Sequence, residues 1–300
     1  MAQHAIYALA LGCLYALLAA GLVFLSSAQR SWYLAYGGLY LVGGYVTWWT
    51  LRLSQPLWMA LILAPLLCAV LGVVLTSLVR VVRARRSERS QLLWGLGVLV
   101  CSMEVYRLMM GTYHRKVIAI DSYQIHYLGP LMLSDMHWLL LGCAFGCGVW
   151  LHGFLTTSRP GLILQTVLDD RDEPQRWRGL DPRWFAAAIG ASLAGVGGGL
   201  AALYFNEVHP EMGLRMMPRI LCLAIIGGVG CIRGAVLAAF GLAGVEGLVA
   251  PMTADLLLPL EVYFLLALFV VNLWPLSKPA RHRIHKTSPG SQREATLDSA

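Results

Sequence analysis

A few ionisable side chains lie inside long apolar runs of this chain, and their surroundings restrict which charge states and partners they can have. Glu104 and Glu246 stand within such runs, and Arg107 follows Glu104 by three residues. A charge surrounded by hydrocarbon is costly, so each carboxylate must pair with a cation, face a polar cavity or be neutral. Because residues three apart share a helix face, Glu104 and Arg107 are predicted to form an ion pair. The sequence does not exclude the alternative that either carboxylate lines a polar pathway.

A second concentration of charge is the stretch LDDRDEPQRWRGLD at 168–181, which has eight charged groups in fourteen positions. The apolar residues that lead into it follow helical spacing, and they include Leu164, Val167 and Leu168. The next turn is charged and comprises Asp169, Asp170, Arg171, Asp172 and Glu173. Pro174 ends the helix after Glu173. Such a helix can dock its apolar stripe in a groove of a partner, with the charges setting register; the alternative is a solvated loop.

Motifs of enzymes and metal sites are missing from the sequence. It contains no HExxH, GxSxG or Walker A pattern, which predicts no catalytic role and no nucleotide site. Cys143 and Cys147 share a helix face but lack histidine or carboxylate partners, so no metal site is predicted from them. Seven cysteines in or beside apolar runs argue against a disulfide framework. The pair His282 and His285 belongs to a basic tail, and no cofactor is expected.

The elements that hold these residues are predicted to be membrane-spanning helices. Hydrophobic residues make up 58% of the chain and charged residues only 13%, a balance typical of an integral membrane protein. Backbone groups in lipid must be satisfied within their own segment, so the predicted fold is all-α and polytopic. The predicted spans are 4–26, 33–51, 57–79, 91–111, 137–157, 184–204, 219–250 and 256–274.

Basic connectors predict the orientation of these spans. The segments 80–89, 158–183 and 278–286 are rich in arginine or lysine and are placed in the cytoplasm by the positive-inside rule. The N-terminus is then outside, together with 112–136 and 205–218. The net charge of +7 follows from this orientation signal and favours anionic lipid rather than nucleic acid as a partner.

A single helix across 219–250 would leave the tail outside, whereas the basic residues of the tail place it in the cytoplasm. The region 219–250 is predicted to be a hairpin or a broken helix that turns near GGVGCIRGA at 227–235, so eight or nine spans remain possible. Residues 1–276 are accordingly predicted as one transmembrane domain, and 277–300 as a disordered cytoplasmic tail.

Glycine clusters occur in GGLYLVGGY at 37–45, GVGGG at 195–199 and IIGGVG at 225–230. Glycine allows transmembrane helices to approach closely, and it also permits the interrupted helices of transport sites. The clusters by themselves do not separate these two interpretations.

Four blocks of the sequence carry a resemblance to a known family, namely ALALGCLYALLAAGLVF (8–24), LAYGGLYLVGGYV (34–46), WGLGVLVCSMEVYRLMMG (94–111) and RILCLAIIGGVGCIRGAVLAAFGLAGVEGL (219–248). Their order is similar to that in the permease subunits of ABC importers for branched-chain amino acids, a family that also imports urea and amides. Departures include Tyr36 at the family's histidine, Gly38 at its glutamate and Cys231 at a serine. Because the family's pattern is lost at 36–38, the sequence does not identify the solute.

The resemblance implies a subunit that forms half of a translocation pathway in a bacterial inner membrane. ATP would be hydrolysed by separate ATPase subunits, docked on the loop 158–183. The other implied partners are a second homologous permease, or a copy of this chain, and an extracytoplasmic solute-binding protein. The residues expected to border the pathway are Tyr36, Tyr40, Glu104, Gly227, Gly228 and Glu246. The competing hypothesis is a secondary transporter driven by an ion gradient, which would need no coupling loop.

Overall fold

The fold is taken from a computed structural model, which describes residues 2–29, 33–83, 88–117, 125–128, 131–158, 161, 182–228 and 231–249. Its helices are α1 (Ala2–Gln29), α2 (Tyr36–Arg52), α3 (Leu57–Arg83), α4 (Glu88–Met110), α5 (Asp135–Thr157), α6 (Pro182–Phe205), α7 (Met212–Ile226) and α8 (Ile232–Val249). Its short strands are β1 (Arg115–Lys116), β2 (Ile125–Leu128), β3 (Leu131–Ser134) and β4 (Glu207–Val208). The predicted span 256–274 and the tail 277–300 lie outside the described residues.

Five of the described helices are long and apolar enough to cross a membrane. The corresponding segments are Ile6–Ser26, Leu57–Val79, Leu93–Met110, His137–Thr157 and Arg183–Phe205. The first and last of these are largely buried inside the protein, whereas the other three expose most of their surface. On α3, α4 and α5 the exposed residues include large apolar side chains such as Leu66, Leu108 and Phe145. Such surfaces are suited to hydrocarbon, as the polytopic prediction requires.

Helix α6 lies at the centre of the bundle and contacts three neighbours through glycines. A Cβ added at Gly195 would lie 2.8 Å from the Ala64 carbonyl oxygen in α3, and one at Gly197 would lie 2.9 Å from Cγ of Leu18 in α1. At Gly198 the added atom would collide with the Tyr40 carbonyl in α2. The glycine cluster at 195–199 therefore serves close helix packing.

The region predicted as a hairpin or broken helix is divided between α7 and α8. Gly227 follows α7 and is so close to Gly234 and Ala235, in the first turn of α8, that neither Gly227 nor Gly234 has room for a side chain. At the far end of the pair, Arg219 of α7 reaches Glu246 of α8. The end of α7 thus lies beside the start of α8, and residues farther from the turn also lie side by side. The two helices therefore run antiparallel and form a hairpin. Gly228 closes α7 with φ at +90°, a conformation that favours glycine.

The start of α7 differs from the sequence-based boundary. Residues 205–218 were predicted to form an outside connector, but α7 begins at Met212 and includes Pro218. A Cβ added at Gly37, in the first turn of α2, would lie 2.9 Å from the Gly213 carbonyl oxygen, and Met212 packs against Gly44. Because the first residues of α7 pack on α2, they are helical although their composition resembles that of a loop.

Two short antiparallel pairs of strands connect the helices, and the sequence did not predict them. Strand β1 pairs with β4, with Arg115 opposite Val208 and Lys116 opposite Glu207. Strand β2 pairs with β3 just before α5. The β1–β4 pair joins the residues that follow α4 to those that precede α7, so both segments lie on the same side of the bundle. The predicted topology likewise places 112–136 and 205–218 together.

Candidate functional site

Helix α7 carries a polar stripe on one face. Glu211, at its N-terminal cap position, is followed by Arg215 and Arg219 at intervals of four residues, so the three side chains share a face. The opposite face is apolar and buried, and it includes Met212, Met216, Met217, Ile220 and Leu223. We call the stripe of Glu211, Arg215 and Arg219 the polar face of α7.

The inner end of the polar face belongs to a cluster at the centre of the bundle. The Tyr15 hydroxyl donates a hydrogen bond of 3.0 Å to Oε2 of Glu246, and Nε of Arg219 lies 3.8 Å from Oε1 of the same carboxylate. The side chain of Glu246 is only 16% exposed. Tyr15 is near the middle of the span Ile6–Ser26, which sets the depth of this cluster. The carboxylate is thus neutralised at the depth where an isolated charge is most costly.

The outer end of the polar face belongs to a chain of ion pairs between α4 and α7. Nη1 of Arg107 lies 3.0 Å from Oε1 of Glu104, which confirms the ion pair that their spacing predicts. Nη2 of Arg107 reaches Oε1 of Glu211 at 3.2 Å, and Nη2 of Arg215 reaches Oε2 of Glu211 at 3.1 Å. Alternating charges therefore link the two helices. Glu211, Arg215 and Arg219 were missed by sequence reasoning, although their four-residue spacing was a readable signal.

The other residues predicted to border the pathway have well-defined contacts. The Tyr36 hydroxyl donates a hydrogen bond of 2.9 Å to the Leu18 carbonyl and so ties α2 to α1. Tyr40 is also fully buried and packs against α6 through its backbone at Gly198. Gly227 and Gly228 form the turn of the α7–α8 hairpin. Glu246 pairs with Arg219 of α7, Tyr40 lies close enough to Arg219 to interact with it electrostatically, and Glu104 connects with Glu211 only through Arg107. A pathway role for all six predicted residues stays a prediction.

A second polar cluster lies beside the β1–β4 pair. His114, which precedes β1, stacks on His209, which follows β4, with ring centroids 4.7 Å apart. Nδ1 of His114 lies 3.3 Å from Oε2 of Glu207. Burial lowers the pKa of His209, and the neighbouring His114 and Arg215 lower it further. The ring of His209 is therefore neutral at neutral pH. Sequence analysis predicted no metal site, yet the Glu-Val-His spacing of 207–209 would put both side chains on one face of a strand.

An apolar groove of about 1250 Å³ opens between α1, α5 and α8. Leu17, Leu155 and Phe240 are among the residues that line it, and none of the lining residues belongs to the polar face of α7. The groove is therefore separate from the charged clusters.

The predicted docking helix at 163–173 lies outside the described residues. The structure describes Ser158, Gly161 and Pro182 but not residues 159–160 or 162–181. The residues of the predicted docking helix are Leu164, Val167, Leu168, Asp169, Asp170, Arg171, Asp172 and Glu173. Their role as an ATPase contact stays a prediction.

Helices long and apolar enough to cross a membrane, with paired charges between them, are typical of a multi-pass membrane protein. The family model of the permease component of branched-chain amino acid transport systems matches residues 4–273. The chain belongs to that family, because the match covers nearly all of its length. Neither a curated protein sequence nor a solved structure matches the chain. The resemblance seen in the four sequence blocks is thus confirmed.

Proposed function

We propose that this chain is a permease subunit of an ATP-binding-cassette importer and forms half of its translocation pathway, with the polar face of α7 lining that pathway. The observation that carries the proposal is the exposure of Arg215, whose side chain is 65% accessible. Arg215 is one helical turn from Arg219, which binds Glu246 at the centre of the bundle. Arg215 lies between the outer end of α7 and Arg219, where a guanidinium is costly to expose to hydrocarbon, so we infer that it faces water or a second subunit.

A second permease subunit, homologous or identical, supplies the opposite wall of this pathway. Leu214 and Ile226 on α7 are also exposed, so this helix offers a partly apolar surface for such a subunit. The two arginines make the wall cationic. A cationic wall suits a solute with a carboxylate, such as an amino acid, because the guanidinium binds carboxylates with strong charge-assisted hydrogen bonds.

The proposed topology has eight or nine spans, an outside N-terminus and a cytoplasmic tail in a bacterial inner membrane. Pairing of β1 with β4 supports it, since both strands fall in segments that the basic connectors put outside. Residues 1–276 form the transmembrane domain in this proposal. A reporter at Ser122 should be outside, and reporters at Ser87 and Ser288 should be cytoplasmic.

ATP is hydrolysed in this proposal by separate cytoplasmic ATPase subunits, because the sequence has no phosphate-binding loop. A solute-binding protein on the outer side delivers the solute. The competing function is a secondary transporter driven by an ion gradient. The decisive experiment reconstitutes the chain in liposomes, alone and together with its second permease, its solute-binding protein and its ATPase, with a radiolabelled branched-chain amino acid as the probe solute. Uptake that requires ATPase and ATP supports the importer, whereas uptake by the chain alone under an ion gradient supports the secondary transporter.

Contact with the ATPase is tested separately at the loop 158–183. Asp170→Lys combined with Asp172→Lys should weaken ATPase capture, and high salt should reduce the difference, because exposed charges are screened over about 8–10 Å at physiological ionic strength. Leu168→Ala should weaken capture without that salt dependence, since it removes apolar burial worth up to about 2 kcal/mol. If both variants capture ATPase and import solute as the parent does, the loop does not couple the subunits.

A further inference from the structure

The cluster beside the β1–β4 pair is assembled by pairing of strands that are distant in sequence. Glu207 is the first residue of β4 and stands opposite Lys116 of β1. His114 immediately precedes β1, and His209 immediately follows β4. One nitrogen from each ring and one carboxylate oxygen all lie within 4.8 Å of one another. Two imidazoles and one carboxylate thus converge on a single point at the surface.

The environment of His209 is that of a ligand without its partner. Its two ring nitrogens are buried, and neither makes a hydrogen bond to any residue that the structure describes. Buried polar atoms in folded proteins almost always have a partner, so two such atoms in one ring call for an explanation. The hydrogen bond between His114 and Glu207 gives those two side chains a partner but leaves His209 without one among the described residues. An ion bound between the three side chains would give one of the two His209 nitrogens a partner.

We propose that His114, Glu207 and His209 bind a divalent transition-metal ion, with Zn²⁺ as the best fit. Imidazole nitrogen and carboxylate oxygen are ligands that Zn²⁺ accepts at about 2.0–2.2 Å, and three protein ligands leave a fourth position open for water. Tetrahedral coordination at those lengths requires ligand atoms about 3.4 Å apart. The three atoms, which lie within 4.8 Å of one another, would have to move closer together to reach that distance.

Nearby charges determine how tightly such a site holds its ion. Glu207 is the one anionic ligand, and Glu211 lies close enough to favour positive charge on the His209 ring, while Arg215 opposes it. Lys116 is opposite Glu207 in the strand register. Because cationic side chains surround the cluster, we expect weaker binding than in a structural zinc site with thiolate ligands.

Metal binding would connect the end of α4 to the start of α7. His114 is four residues beyond Met110, the last residue of α4, and His209 is three residues before Met212, the first of α7. A bound ion would therefore restrain α7 at its outer end. On the proposed function this restraint would slow movement of the pathway wall, so that outside Zn²⁺ would inhibit uptake. That consequence rests on the proposed function, whereas metal binding itself does not.

The test is titration of the purified full-length chain with Zn²⁺ and, in parallel, with Co²⁺. The protein is prepared without a polyhistidine tag, in a His282→Ala and His285→Ala background that removes the tail histidines. We expect one ion for each chain, a rise in melting temperature with Zn²⁺, and visible Co²⁺ absorption of the intensity that tetrahedral coordination gives. His114→Ala and His209→Ala should each weaken binding at least tenfold and abolish that absorption. His152→Ala, which removes an exposed histidine of α5, is the matched control and should change neither.

Equal Zn²⁺ affinity in the parent, His114→Ala and His209→Ala proteins would overturn the proposed site. Binding by the parent that is lost in these variants supports it, even in a preparation that shows no uptake. In a preparation that does transport, Zn²⁺ inhibition in the parent but not in His209→Ala supports the restraint on α7. Uptake that is insensitive to Zn²⁺ while the ion is bound would leave the metal site standing and exclude the restraint.

Discussion

Helices α6 and α7 both pack against α2 through glycine, but α7 also carries a polar face. Helix α6 meets α2 through glycines, where backbone touches backbone and no side chain fits at Gly43 or Gly198. Helix α7 meets α2 at Gly213 and along its buried apolar face, and it also carries Arg215, whose side chain is largely exposed, and Arg219, which lies beside Glu246. Close packing makes α6 a fixed part of the core. The charges of α7 suit a surface that must remain hydrated, so the comparison separates the scaffold from the proposed pathway.

The largest effect is expected where the polar face enters the core. Glu246→Ala would leave Arg219 without its carboxylate partner at the centre of the membrane, and breaking a buried pair costs about 3–5 kcal/mol. We expect little folded protein in detergent, measured as the monodisperse fraction on size exclusion and as the melting temperature. The matched control is Glu246→Leu with Arg219→Leu, which removes both charges and should recover most of the stability but not uptake. Recovery of uptake as well would mean that the pair is only structural.

A smaller loss of stability is expected in the scaffold. Gly43→Ala would press a methyl group against the Gly195 backbone in α6, and overpacking of this kind costs about 1–3 kcal/mol. Thermal unfolding of the purified variant should show a lower melting temperature. Gly142→Ala is the control, because a Cβ at Gly142 meets no atom within 4 Å. If Gly43→Ala and Gly142→Ala unfold at the same temperature, the close approach of α2 and α6 does not exist as described.

A still smaller change is expected at the hydroxyl that completes the central cluster. Tyr15→Phe removes one hydrogen bond to Glu246 and leaves the ring packing unchanged. Side-chain hydrogen bonds within membranes contribute about 0.6–1.7 kcal/mol. The melting temperature should therefore fall less than in Gly43→Ala. A loss as large as that of Glu246→Ala would show that the hydroxyl, rather than Arg219, holds the carboxylate.

Much of the scaffold could be predicted from the sequence, because apolar length and glycine spacing report directly on membrane helices. The Glu104 and Arg107 pair was also readable, since both residues lie within one turn of one helix. The partners of Glu246 were not, because Tyr15 is 231 residues away and only the fold brings it near. The start of α7 was misread for a related reason: Arg215 and Pro218 look like loop residues until Gly213 packs on Gly37. Packing between distant parts of the chain determines the partners of Glu246 and the start of α7, and local composition does not report on it.

The most direct measurement of the central claim compares water access at two equally exposed positions. Arg215 on α7 and Leu66 on α3 have side chains that are 65% and 61% exposed, and Leu66 lies near the middle of the span Leu57–Val79. Each is changed to cysteine in a protein whose seven native cysteines have been replaced, and its reaction with a charged, membrane-impermeant thiol reagent is timed in sealed vesicles. Arg215→Cys also removes the exposed ion pair with Glu211, which should cost no more than about 1 kcal/mol. If the polar face of α7 lines the pathway, Arg215→Cys reacts at least tenfold faster than Leu66→Cys, and solute slows the reaction. Equal, slow reaction at both positions in folded protein would contradict the proposed pathway.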